Sequence, residues 1–271
     1  MSALAVKLGM ALTLLAVAAG ALALHAVGGT GKKAAFDGQP LPKLYSTAQV
    51  AHVDGPLRAA VARAHRETAA WLAQHPLRDD AAFAAWAQRA MGPPPAAAEQ
   101  RRELAALHRL AARRDATGVA AATWLEQHGK KQVWKLYGHQ YRDIASKAAG
   151  KREKRTLKIA LKIAGTLQAT AKNRFARPSP YVTDPTVNAL NQARFKGKTR
   201  LSYPSKHAVL SAAAVAVLRH YEPSREDEYR WMADQVDFSR LYAGGHYLSD
   251  LTAGAFLGTA IGDYSLHRAA A

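Results

Sequence analysis

Residues 239–250 read Ser-Arg-Leu-Tyr-Ala-Gly-Gly-His-Tyr-Leu-Ser-Asp and run straight into the apolar string LTAGAFLGTAI, residues 251–261. That string falls well short of the roughly 20 apolar residues a membrane-spanning helix needs, so it reads as a helix buried in a bundle. Gly254, Gly258 and Gly262 recur at every fourth residue, a stripe against which another helix can pack closely. The same spacing separates His246 from Asp250. On one helix face, a carboxylate so placed holds one imidazole nitrogen and leaves the other free to react. Taken alone, such a pair is a structural hydrogen bond as readily as a reactive one. Its neighbours carry the distinction.

Back toward the N-terminus, apolar residues recur at three- and four-residue intervals almost everywhere, and strand-like alternation is nearly absent. The spacing predicts helices over about 56–74, 79–91, 96–114, 117–128, 131–148, 151–174, 207–221, 226–236 and 246–261. Several breaks carry Pro or Gly, most clearly Gly92-Pro-Pro-Pro95. The expected fold class is all-α, a helical bundle with its active site formed by helix ends and loops in the C-terminal half. Four segments are expected: a signal peptide or anchor over 1–23, a linker over 24–54, an N-terminal helical region over 55–129, and a helical core over 130–271 that holds the site.

In the first segment Lys7 precedes an uncharged, Ala/Leu-rich run (8–24) that contains Ala21-Leu22-Ala23, a site of the kind signal peptidase cuts. An uncleaved anchor is the other reading, because the run is close to the ~17-residue minimum for crossing a bilayer. A cleaved signal places the protein in the periplasm or outside the cell. An anchor tethers an exported domain to the inner membrane. GGTGKK (28–33) imitates a phosphate loop but has Ala26 in place of its first glycine and Lys33 where Ser or Thr must bind magnesium.

The 271 residues include 38 Lys and Arg against 20 Asp and Glu, a formal charge of +18, and no cysteine. The charge favours anionic partners; the missing cysteine excludes disulfide scaffolds, zinc ribbons, thiol nucleophiles and iron–sulfur sites. Between 130 and 172 stand 12 Lys and Arg against Asp143 and Glu153. There KREKRTLKIALK (151–162) combines charge with Leu157 and Leu161 one turn apart, as an amphipathic surface helix would. Two readings stand: a solvated face, or one that meets anionic lipid or attracts phosphate substrates. No nucleic-acid-binding motif accompanies the charge, and nucleic acid is not an expected partner.

Two further segments carry chemistry. Lys172-Asn-Arg-Phe-Ala-Arg-Pro-Ser179-Pro180 is a basic, proline-marked helix exit, and Tyr203-Pro204-Ser205-Lys206-His207 precedes the apolar run 208–218. Pro-Ser ahead of a helical pattern marks a helix start with Ser205 as its cap. Free backbone N–H groups beside a hydroxyl and a cation make an oxyanion cradle. In order and spacing, the three segments resemble the type 2 phosphatidic-acid phosphatase superfamily, which includes bacterial non-specific acid phosphatases and vanadium haloperoxidases. That family's pattern is Lys, six residues, Arg-Pro; then Pro-Ser-Gly-His; then Ser-Arg, five residues, His, three residues, Asp. Here the third segment matches throughout, the second has Lys206 for glycine, and the first has Ser179 for arginine. A shifted register would use Arg177-Pro178 as the Arg-Pro pair, but Thr170 then takes the place of the lysine. Family members often read Arg-Pro-Arg-Pro here, which favours Ser179 as a substituted arginine.

The resemblance implies a mechanism. His246 would attack phosphorus in line and form a phosphohistidine that water hydrolyses, with Asp250 orienting His246 and stabilising its cationic form. His207 would protonate the leaving oxygen and then activate water. Lys172, Arg240, the Ser205 hydroxyl and the Lys206 backbone N–H would hold the non-bridging oxygens, with Ser179 standing where a further cation belongs. The resemblance implies no metal and no cofactor. Loss of one such contact costs on the order of 2–4 kcal/mol in the transition state. Lys206 replaces the missing charge if it points inward, and does not if it faces solvent or blocks the pocket. In the loop 181–202, Arg194, Lys196, Lys198 and Arg200 either contact a second phosphate or are solvated. The leading expectation is an exported phosphatase acting on phosphomonoesters or lipid phosphates, in peripheral contact with an anionic membrane surface. The alternatives are a weakened member that binds phosphate or anionic lipid without turnover, and a vanadium-dependent haloperoxidase.

Overall fold

Ser46 caps the first helix twice over: its hydroxyl accepts from the Gln49 N–H, and the Gln49 side-chain oxygen accepts from the Ser46 N–H. This capping box starts α1 (Thr47–Gln74) well ahead of Pro56, where the helix was expected to begin. Pro56 therefore lies inside a helix, where its missing N–H and its ring cost about 3 kcal/mol. Val50, Val53 and Leu57 offset that cost by carrying one buried face through the proline. Residues 47–54, read as linker, are helical for this reason.

The computed structural model describes residues 41–190 and 200–270. After α1 come α2 (Asp80–Met91), α3 (Ala97–Ala111), α4 (Ala116–His128), α5 (Gln132–Ile144) and α6 (Lys147–Phe175). A one-turn α7 (Pro180–Thr183), α8 (Lys206–Tyr221), α9 (Glu226–Tyr242) and α10 (Leu248–Ala270) follow. Among the described residues there is no strand, only an isolated bridge between Pro178 and Leu201. The protein is all-α. These helices belong to one unit, Lys43–Ala271. The expected leader (1–23), the GGTGKK segment, Arg194, Lys196 and Lys198 lie outside the described residues. No helix among the described residues is long and apolar enough to cross a membrane.

α8 is buried over most of its length, and α10 packs along it, with α1, α6 and α9 around the pair. The glycine stripe makes that approach close. A Cβ on Gly254 would lie 2.6 Å from the Ala208 Cβ, one on Gly262 would lie 2.5 Å from the Ala216 Cβ, and one on Gly258 would strike the Val209 carbonyl oxygen. At the top of the pair the two helix starts are stitched together, the Ser205 N–H donating to the Asp250 carbonyl at 2.9 Å.

Other boundaries differ from expectation as well: the helix expected over 246–261 starts at Leu248 and runs on to Ala270. The helix expected over 131–148 stops at Ile144, and Ser146 caps a new one through the Ala149 N–H, so α6 gains a turn. α9 continues past 236 to Tyr242, which makes Ser239 and Arg240 helical. On α6, Lys147, Lys151, Lys154, Arg155, Lys158 and Lys162 are exposed while Leu157 and Leu161 are buried, as an amphipathic surface helix requires.

Candidate functional site

The C-terminal ends of α4, α6 and α9 and the entries of α8 and α10 converge on a cavity of about 180 Å³. That is the share of roughly six waters at about 30 Å³ each. Lys172, Ser179, Lys206, His207, Arg240 and His246 all line it, and Tyr181, Leu190 and Leu201 form part of its wall. The three sequence segments thus meet in space, although Lys172 and His246 lie 74 positions apart in the chain.

His246 stands two residues ahead of α10, and Asp250 lies in that helix's first turn. Their contact therefore crosses a helix entry and does not run along a helix face, as the spacing alone suggested. Asp250 Oδ2 faces His246 Nδ1 at 3.3 Å and accepts from the Tyr247 N–H at 2.8 Å. Its other oxygen accepts from Arg177 Nη1 at 2.8 Å. With its proton on Nδ1, His246 donates to Asp250 and keeps the Nε2 lone pair free.

Arg177 is 4% exposed and donates also to Glu103 Oε2 at 3.0 Å and to Ser249 Oγ at 2.7 Å, with its guanidinium 3.8 Å above the Tyr247 ring. Glu103 in turn accepts from the Ser249 N–H at 2.6 Å. Arg177 is thus a buried counter-charge behind the histidine and does not line the cavity. Thr170 does not line it either, its hydroxyl donating to the Thr166 carbonyl on α6. The register in which Lys172 and Ser179 are paired is the one whose residues share the cavity. Ser179 is pinned there by the bridge beside it, its hydroxyl and its N–H both donating to the Arg200 carbonyl at 2.8 Å.

Ser205 occupies the cap position of α8 without making a side-chain cap bond. Its buried hydroxyl has no partner among the described residues, and Ser205 does not itself line the cavity. Lys206 lines the cavity while remaining exposed, which places it at the mouth.

Two lining residues escaped the sequence reading. Glu126, in the last turn of α4, pairs with Arg240 and with Lys130 Nζ at 3.1 Å, and its Oε2 lies 3.9 Å from His207 Nε2. Its backbone carbonyl is 3.4 Å from the same nitrogen. Arg240 further donates to the Ala122 carbonyl at 3.0 Å and to Ser239 Oγ at 2.9 Å. Four cations (Lys130, Lys172, Lys206 and Arg240) and one carboxylate therefore share the lining. In sequence, Glu126 and Lys130 read as an ordinary i,i+4 surface pair. Glu103 left a faint signal, a carboxylate on the same buried face as Leu107.

Burial pushes His207 well below the ordinary imidazole range, with Lys130, His246, Lys172 and Lys206 adding to the effect. His246 is lowered by burial too, against the opposing pull of Asp250. Burial brings Lys172 down to about 8, Asp250 opposing and the neighbouring Lys206 and Lys130 reinforcing. At pH 7 both imidazoles of the free protein are therefore neutral and Lys172 is mostly charged. A neutral nucleophilic nitrogen beside a cluster of cations suits in-line attack on a tetrahedral oxyanion.

Residues 156–269 match the model of the PAP2 superfamily, a segment that contains all three motifs. Residues 156–269 thus belong to the PAP2 superfamily. Among solved structures, the chain is similar to the first transmembrane PAP2 type phosphatidylglycerolphosphate phosphatase from Bacillus subtilis. The two are 16% identical over 68% of this chain and 90% of that one, with a TM-score of 0.48. No curated protein sequence matches the chain. The PAP2 segment includes Arg177, His207, Arg240, His246 and Asp250, whereas Glu103, Glu126 and Lys130 precede it.

Proposed function

We propose that this protein is a phosphatase that hydrolyses phosphomonoesters, lipid phosphates among them, through a phosphohistidine on His246. One observation carries the reading: two imidazoles line a single cation-lined cavity, and only one of them, His246, is backed by a buried carboxylate. Neutral His246 attacks phosphorus through Nε2, and the P–O bond to the alcohol breaks as His207, in its protonated form, passes that oxygen a proton and becomes neutral. Water then attacks the phosphohistidine with His207 as base, which releases orthophosphate and restores both rings. Lys172, Arg240 and Lys130 take the charge that develops on the non-bridging oxygens, and Lys206 at the mouth adds to the attraction. Lys130 contributes a cation where the Ser179 position lacks one. The exposed basic face of α6 suits an anionic surface, which keeps lipid-borne phosphates within the substrate class.

A second reading, phosphate binding without turnover, is favoured by one feature: Glu126 already neutralises Arg240 inside the cradle. A screen of the purified protein on soluble phosphomonoesters, phosphatidic acid and polyprenyl pyrophosphate, with His246→Ala as the blank, decides between them. Hydrolysis lost in His246→Ala, together with an acid-labile phosphoryl group trapped on the wild-type protein, is the expected result. Saturable orthophosphate binding with no turnover of any ester would establish the second reading instead.

A further inference from the structure

A second cavity, of about 300 Å³, opens between α1, α8, α9 and α10 and shares no lining residue with the phosphate site. Leu57, Val61, Ala212, Val215, Ala233 and Ala255 give it apolar walls. Into this apolar space α9 delivers two carboxyls, Asp234 and Asp237. Asp237 is 3% exposed, and its Oδ1 has no hydrogen-bond partner among the described residues. The other charges around the cavity are already engaged. Arg58 pairs with Asp54, Arg219 with Glu226 at 3.1 Å, Arg230 with Asp227 at 3.6 Å, and His65 with Asp263 at 2.6 Å. Among the described residues no ion pair reaches Asp234 or Asp237. An unpartnered acid oxygen at the apolar base of a cavity is costly unless something supplies it a donor.

We infer that this cavity is a ligand site for small organic cations, an ammonium group held by Asp237 with its alkyl or single-ring body against the apolar walls. Water would satisfy the oxygen but leave the apolar walls wet, and a neutral alcohol would cover the walls without bringing charge. An amine does both. Burial raises Asp234 to about 7 and, with Asp234 beside it, holds Asp237 well above the ordinary carboxylate range. In the empty cavity Asp237 therefore holds its proton to higher pH than a solvated carboxyl does. An arriving ammonium favours the ionised form, so that one N–H···O⁻ pair forms and the carboxyl proton leaves to solvent.

The test is calorimetry of the full chain at pH 7 with hexylammonium chloride and with n-hexanol, each in two buffers of different ionisation heat. The expected result is saturable hexylammonium binding at least about tenfold tighter than hexanol, the scale of one charge-assisted hydrogen bond, with proton release to the buffer. Asp237→Asn, which keeps the shape, should bring the amine down to the affinity of hexanol. Ala233→Phe, which fills the cavity, should abolish binding of both. Equal affinity for hexanol and hexylammonium overturns the inference, as does amine binding unchanged in Asp237→Asn or a wild-type protein that gives no saturable heat with hexylammonium. If Asp237→Asn does not fold, the wild-type comparison of amine with alcohol and the Ala233→Phe variant still decide.

Discussion

Glu126 puts a negative charge in contact with two of the cations that line the phosphate cavity and within 3.9 Å of His207. A phosphate dianion entering that space meets the carboxylate at short range. At about 5 Å and an effective dielectric of about 20, two unit charges repel by roughly 3 kcal/mol. Glu126→Gln removes the repulsion and frees Arg240 and Lys130 for the guest. Orthophosphate, measured by calorimetry or as a product inhibitor at pH 7, should bind at least about tenfold more tightly to the variant. Weaker binding would instead mean that Glu126 holds the cradle in shape. The sequence offered His207, His246, Asp250 and Arg240 as candidates because they fall on the spaced pattern of the family that the chain resembles. It left Glu126 and Glu103 obscure because what distinguishes them is the partner they meet far along the chain, and a single sequence does not encode that pairing.

The helix pair α8–α10 sets the distance between the two histidines, since His207 rides on the entry of one and His246 precedes the entry of the other. The glycine stripe was readable as a packing surface from its four-residue period, and the structure adds what it packs against. At Gly258 an added methyl meets the backbone oxygen of Val209, which cannot swing aside as a side-chain tip would. Gly258→Ala should destabilise the fold by about 1–3 kcal/mol in urea unfolding and reduce turnover, because separating the helices separates the rings. Gly165 on α6 has open space around its Cβ position, so Gly165→Ala should instead gain about 0.5–1 kcal/mol. Helix ends were less legible than helix interiors. Gly55-Pro56 looks like a start, yet a capping box at Ser46 and the buried face through Leu57 outweigh it. The helix expected to end at 236 continues because Ser239, Leu241 and Tyr242 are buried and keep α9 helical to its end.

Over the whole molecule the charge of +18 draws anions, but it is not gathered at the cavity. Apart from Arg174, the exposed cations of α6 end at Lys162, ten residues or about 15 Å of helix before Lys172, so that basic face addresses something other than the cavity. The pH response belongs to this scale because burial in the assembled bundle produces it. The proposed turnover needs His207 protonated and His246 neutral. Both rings are held below the ordinary value of 6.5, so the free protein at pH 7 lacks the acid, and further acid eventually removes the nucleophile. kcat/KM should therefore peak on the acid side of 6.5 and fall on either flank, with a further loss above about 8 as Lys172 discharges. A pH–rate profile on a soluble phosphomonoester checks this, and an alkaline optimum would contradict it. The Glu103–Arg177–Asp250 relay has a consequence for how much protein the chemistry requires. A chain cut back to begin at 156 would keep every signature residue, yet Arg177 would face Asp250 without its second carboxylate, and the cradle would lose Glu126 and Lys130. The N-terminal helices thus supply counter-ions to the motif as well as its scaffold, and any minimal version of the protein has to reach back to include them.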